Sequence, residues 1–158
     1  MESKLSLSEF RTRLVNNTQI GSPKLKLSPF SIFTIFNGTS KPFYGLFDDK
    51  SFRLTLNSTI NPTFFIIKGR YKIQNRALVV NYNIEPCPKF YLTWIKWIPI
   101  FVGGAMNLLL FFSKETPKEV YMLVNIVIAL MIFFSRWDTK EKRKNIEENF
   151  IKIFEIME

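Results

Sequence analysis

The amino-acid sequence predicts a membrane α+β protein. Its order is an N-terminal helix, an antiparallel β-meander or partial barrel, a two-helix transmembrane hairpin and a C-terminal amphipathic helix. Three observations predict it. Two apolar segments, Trp97–Ser113 and Val120–Ser135, hold no charged residue and are parted only by the polar hexapeptide Lys114–Glu119. Upstream, apolar and polar residues alternate at the period of two that a half-buried strand requires. Near each end of the chain the apolar period is helical instead. The partition that follows is a cytosolic helix plus antiparallel β domain over 1–89, a hairpin over 90–137 with spans of about 94–113 and 120–137, and a cytosolic amphipathic helix over 138–158.

Ser6-Leu7-Ser8-Glu9 has the spacing of a capping box, and Leu7, Phe10, Leu14 and Val15 recur at helical intervals, which predicts a helix over Leu7–Asn16. Its apolar stripe needs a cover, and the inner face of a sheet supplies one. Asn16–Pro29, rich in polar residues with Gly and Pro, is expected to be a linker. Strands are predicted at Phe30–Phe36, Pro42–Phe47, Ser51–Asn57, Thr63–Gln74 and Arg76–Glu85, with turns at Asn37-Gly38 and Asp48-Asp49-Lys50. In the last three, Phe52, Leu54 and Leu56 oppose Arg53, Thr55 and Asn57; Ile67, Tyr71 and Ile73 oppose Lys68, Arg70 and Lys72; Leu78, Val80, Tyr82 and Ile84 oppose Val79, Asn81 and Asn83. Pro86-Cys87-Pro88 ends the sheet, since neither proline donates to a ladder.

A membrane-crossing helix needs about 20 mostly apolar residues, within roughly 17–25. Each apolar segment reaches that length when its aromatic flanks are counted. Trp94 and Trp97 precede the first span and Trp137 follows the second, placing indoles at one interface, where Lys96 can extend to the headgroups. A buried hairpin of a soluble protein is the alternative, but such a hairpin normally carries a polar stripe, and here little polarity interrupts the runs beyond Asn107 and Asn125. Asp138-Thr139-Lys140-Glu141 repeats the capping-box spacing, and Ile146, Phe150, Ile153, Phe154 and Met157 form an apolar stripe after it. That stripe is expected to pack on protein, with the headgroup plane and a neighbouring copy as alternatives.

Charge sets the expected topology. Residues 1–89 hold thirteen Lys and Arg against five Asp and Glu, Arg136, Lys140, Lys142, Arg143 and Lys144 follow the second span, and the inter-span loop is balanced. Positive charge flanking both outer ends of the hairpin predicts both termini in the cytoplasm, with the inter-span loop outside. Met1–Gln19 is polar, so no cleavable signal is expected. One cysteine excludes an internal disulfide.

The chain has no histidine, and Cys87 has no activating base; metal-ligand spacing and a phosphate-cradling glycine loop are both missing from the sequence. Asp48-Asp49, followed by Lys50 between strands, reads as a turn. No enzyme, cofactor or metal is expected. Lys68, Arg70 and Lys72 project from one side of a strand, with Arg53 and Arg76 expected beside them. Such a row suits an anionic lipid surface, a phosphate-bearing ligand such as a nucleotide signal, or a nucleic acid backbone, and equally a merely solvated face. Asn107 and Asn125 lie equally far from the inter-span loop, so each can bond within a hairpin, bond between subunits or line a pore. Gly103 and Gly104 permit close helix approach there, and Pro99 bends the first span.

Lys41-Pro42-Phe43-x-Gly45, Phe52-x-Leu54, Pro62-x-Phe64, Gly69 within Ile67–Ile73, and the hairpin followed by a Lys/Glu/Phe tail resemble a family of small uncharacterised bacterial membrane proteins. The resemblance covers most of the chain and implies the sheet-then-hairpin plan without an activity. In plan alone the chain is similar to bacterial antiviral effectors that join a cytosolic β-barrel to two spans, although those place the spans first. The reading that the residues favour is an oligomeric membrane protein with a basic cytosolic sensing or docking domain, and the similarity in plan implies its specific form, a signal-gated effector or pore. The alternative is a membrane-tethered scaffold or binding module that takes a cytosolic protein partner and uses the hairpin only as an anchor.

Overall fold

The structure is a computed structural model and describes residues 1–23, 41–57, 64–113 and 117–157. The strand expected at Phe30–Phe36 and its Asn37-Gly38 turn lie outside them. The chain divides into two units, one of Met1–Pro88 with Lys142–Glu158 and one of Lys89–Glu141.

The first unit is built on a mixed seven-stranded sheet, in order β2-β3-β4-β5-β6-β1-β7. Its strands are β1 (Glu2–Ser3), β2 (Thr18–Ile20), β3 (Phe43–Phe47), β4 (Ser51–Leu56), β5 (Phe65–Gln74), β6 (Ala77–Pro86) and β7 (Ile156–Met157). The meander β3 to β6 is antiparallel, as the alternation predicts. The sheet as a whole is not, because β2 runs parallel to β3, pairing Thr18 with Phe43 and Ile20 with Gly45. Of the segment expected to be a linker, Thr18–Ile20 is therefore strand, and its residues from 24 on lie outside the described ones. β1 lies between β6 and β7, with Glu2 opposite both Val79 and Met157.

α1 (Leu7–Asn17) begins at the expected capping box: the Ser6 hydroxyl accepts from the Glu9 amide, and the Glu9 carboxylate accepts from the Ser6 amide at 2.8 Å. Its Phe10 and Leu14 are fully buried on the inner face of the sheet. Beside them lie Ile146, Phe150 and Phe154, also fully buried. Phe10 meets Tyr71 and Phe154 at ring separations of 4.9 Å, and Phe150 meets Phe52 at 5.3 Å and Tyr82 at 5.0 Å. Such pairs add about 0.5–1.5 kcal/mol each beyond the area they bury. Gly69 stands opposite Phe52 in the ladder, and a Cβ there would lie 2.2 Å from the Phe52 ring. Glycine is what lets that ring lie across β5.

The C-terminal residues thus belong to the sheet unit, and they do not begin a separate helix. α3 runs unbroken over Lys118–Phe154, so Asp138, expected to cap a new helix, lies inside one. The Lys- and Glu-rich stretch after it has high helix propensity and nothing to stop the preceding turn. α3 ends where its last carbonyls are answered by other elements. Arg13 Nη1 donates to the Ile153 carbonyl at 2.6 Å, Ser3 Oγ donates to the Phe154 carbonyl at 2.7 Å, and Arg13 Nη2 pairs with the Glu155 carboxylate at 2.6 Å. Glu155 itself is left-handed (φ 48°), the position where a helix commonly ends in glycine.

The second unit holds α2 (Tyr91–Phe112) and the front of α3. Both helices are long and apolar enough to cross a membrane, and of their most apolar stretches only 6% and 0% is buried. A core hairpin of a soluble protein would have those stretches inside. Gly103 is packed against Ile128, where a Cβ would lie 2.9 Å from Cγ2, whereas Gly104 faces open space. Only the first of the two expected glycines serves the hairpin contact. Pro99 has no amide hydrogen to give the Ile95 carbonyl, and the Ser135 hydroxyl approaches that carbonyl from α3 at 3.5 Å.

Candidate functional site

The basic residues predicted from sequence divide into three groups. Arg53 on β4 and Lys68 on β5 are direct cross-strand partners, and Arg70 lies one step along, opposite Ser51 and Asn81. Arg53 and Arg70 are thus diagonal neighbours on the outer face, about 7–8 Å apart in such ladders. Together with Lys68, Ser51, Asn81 and Asn83 they line one shallow open depression. Lys72 shares the face but lies further along, opposite Val79. Arg76 does not join the row. It is the second residue of a two-residue hairpin turn in which Asn75 and Arg76 both take positive φ, at 52° and 65°. A hairpin with the normal strand twist needs that mirror-image turn; Asn suits its first position, while Arg occupies the second without the glycine that marks it in sequence.

Like charges set directly opposite each other on a sheet repel. At Arg53 and Lys68 the repulsion is met on one side only: Lys68 Nζ pairs with Glu85 Oε2 at 2.6 Å. Among the described residues neither Arg53 nor Arg70 has a carboxylate partner. Two exposed guanidiniums with amide donors nearby form a fork suited to a phosphate or carboxylate. Asn81 and Asn83 were visible in sequence as outward positions of β6; register is what joins them to the arginines.

Asp48 and Asp49 are turn residues, as the sequence predicts. Asp48 Oδ1 accepts from the amides of Lys50 and Ser51 at 2.8 and 2.7 Å, and its Oδ2 accepts from the Ser51 hydroxyl. The Lys50 amide first, then the two Ser51 donors, hold the Asp48 carboxyl below its ordinary range. Asp49 faces Arg11 at 3.3 Å. Tyr71, whose hydroxyl donates to the Asp48 carbonyl at 2.7 Å, is pushed up by burial.

In the hairpin, Asn107 Nδ2 donates to Asn125 Oδ1 and Asn125 Nδ2 donates to Asn107 Oδ1, both at 3.0 Å. The second hydrogen of each amide goes back to its own helix, to the Gly103 and Tyr121 carbonyls at 2.9 Å. All four amide hydrogens are engaged inside one hairpin. No protein-family model, curated protein or solved structure matches the chain.

The remaining predicted residues mark one end of the hairpin. The Ser135 hydroxyl beside the Ile95 carbonyl sets that stretch of α2 against that stretch of α3, so Trp94, Trp97 and Trp137 stand near one level. All three indoles are about half exposed, and Lys96 Nζ lies 5.8 Å from the Trp97 ring centre. Ser135 was missed in sequence because its partner is a carbonyl freed by a proline four residues away, which no spacing rule joins across two helices.

Proposed function

We propose that the chain is a non-catalytic binding module anchored in a bacterial inner membrane by its hairpin, with the basic outer face of the sheet taking a phosphate-bearing ligand in the cytoplasm. The observation that carries this reading is the closed Asn107–Asn125 pair. A pore lined by those residues needs amide donors turned toward water or toward a neighbouring subunit, and here every one is answered within the hairpin. An anchor needs the opposite, a hairpin with no polar group left open to lipid. The sheet supports the two-crossing topology independently of charge: strands from before and after the hairpin pair with each other, so its two flanks share one side of any membrane. Lys and Arg near both outer ends favour the cytoplasmic side. Arg53 and Arg70, exposed and without carboxylate partners among the described residues, are where the ligand's charge would be met.

The test is inducible expression in bacteria with a membrane-potential dye, alongside capture of phosphate compounds by the full-length detergent-purified protein, read by mass spectrometry. An anchor leaves the potential intact, with the chain retained in washed membranes. Arg53→Ser/Arg70→Ser lowers captured phosphate at least about tenfold, the scale of one lost charge-assisted hydrogen bond. Depolarisation that Asn107→Leu/Asn125→Leu abolishes would replace the anchor by the oligomeric pore.

A further inference from the structure

Ala129, Ile132, Phe133, Arg136, Trp137 and Lys140 line one open groove of about 390 Å³ along α3. Their spacings of three and four residues keep them on one helix face. The stripe changes chemistry along its length, from small and apolar at Ala129 through the exposed ring of Phe133 to Trp137 and two cations. Arg136 and Lys140 are four residues apart, so their side chains reach one common volume. Among the described residues neither has a carboxylate partner, whereas Lys144 on the same helix is paired with Glu148 at 3.4 Å. Asp138 falls outside the spacing of the stripe, and Glu141, four residues after Trp137, is paired with neither cation among the described residues.

A second groove supplies the contrast. Thr93, Trp94, Trp97, Ile98 and Phe101 line one of about 420 Å³ on α2, with two indoles but no cation among its lining residues; the nearest, Lys96, lies over Trp97. Indoles and apolar walls suit any lipid. Two unpaired cations at the end of an apolar stripe select a negative headgroup, because a zwitterionic headgroup carries a cation of its own into the same volume.

We infer that Arg136, Trp137 and Lys140 form the headgroup end of a site for one anionic phospholipid, whose acyl chain lies along Ala129, Ile132 and Phe133. The site rests on the membrane reading proposed above. The guanidinium takes the phosphodiester oxygens in pairs, Lys140 adds a point charge, and the Trp137 indole lies at the level of the glycerol backbone.

The test uses the full chain with Trp94→Phe/Trp97→Phe, which leaves Trp137 the sole indole of the original three. It is reconstituted in phosphatidylcholine nanodiscs and titrated with chain-brominated phosphatidylglycerol or chain-brominated phosphatidylcholine, whose bromines quench the indole on contact. Phosphatidylglycerol is expected to compete about thirtyfold better, at roughly fivefold for each cation near a headgroup. Arg136→Gln/Lys140→Gln should bring the two lipids to parity, while Lys89→Gln/Lys142→Gln, removing the same charge outside the groove, should leave the preference standing. Equal quenching by both lipids in the unaltered groove overturns the site and leaves the membrane reading intact. So does an equal loss of preference in the two charge variants, which would mean a diffuse basic surface. Absence of quenching by either lipid overturns the membrane reading and the site together.

Discussion

Asn107 and Asn125 are joined by two reciprocal amide hydrogen bonds, one helix to the other. Cutting one amide away strands its partner in an apolar setting, while cutting both removes the need. Asn107→Leu and Asn125→Leu should each destabilise the hairpin, and the double variant should cost less than the two singles together. The coupling should be about 0.6–2 kcal/mol, the range of interhelical hydrogen bonds in lipid. A double-mutant cycle on reversible unfolding in bicelles measures it; strict additivity would show that the pair is not formed.

Gly103 and Gly104 are neighbours in sequence with opposite expected behaviour. Gly103→Ala drives a methyl toward Ile128 and should cost about 1–3 kcal/mol, as overpacking does. Gly104→Ala meets open space and should be neutral or stabilise by up to about 1 kcal/mol through helix propensity. Ile128→Ala should rescue the first variant. The same bicelle assay reads all three.

Phe150 and Phe154 hold the C-terminal turns of α3 against the sheet. Phe150→Ala should cost about 3–5 kcal/mol, the scale of emptying a fully buried aromatic site. Ending the chain after Glu141 should leave residues 1–88 unable to fold, seen as loss of strand signal in circular dichroism and rapid proteolysis. A sheet domain that survives that truncation would mean the C-terminal turns are dispensable.

Asp48 and Glu9 should contribute to the acid limb of the sheet unit's stability. Both carboxyls are held below their ordinary range, Asp48 first by the Lys50 amide and Glu9 first by the Ser6 hydroxyl. A depressed folded-state pKa stabilises the fold above the unfolded value, near 4 for a carboxylate, and that contribution fades as pH falls through the folded value. Asp48→Ala should therefore lower Tm at pH 7, and its deficit against the unaltered chain should shrink below about pH 4. A deficit that stays constant down to strongly acid pH would remove Asp48 from this role.

Long periodic elements were legible before any coordinates. Ser6 and Glu9 announced α1, and alternation from Phe52 to Ile84 placed three strands to within two residues and most of their wet face, although Thr55 is buried and Ile73 is exposed. Short elements were not. Glu2–Ser3, Thr18–Ile20 and Ile156–Met157 are strands of two or three residues, too brief for a period to show, and each forms because a neighbour offers an open edge. Asp138 misled because capping-box spacing has meaning only where the preceding helix has already stopped. For the candidate site, the cations were readable one strand at a time. That Arg53 faces Lys68, and that Asn107 binds Asn125 within one hairpin, depends on register and helix rotation, which emerge only from packing.

The pairing of Glu2 with Met157 has a consequence for how the protein is made. Once β6 has been translated, about 70 residues remain before Met157, several seconds at roughly 5–20 residues per second. Phe150 and Phe154, which cover Phe43, Phe52 and Tyr82, follow both apolar stretches. Both apolar helices are translated during that interval, before the residues that close the sheet. On the proposed membrane reading, the hairpin is therefore made while the sheet still lacks its lid, and its insertion can begin before the domain it interrupts is complete.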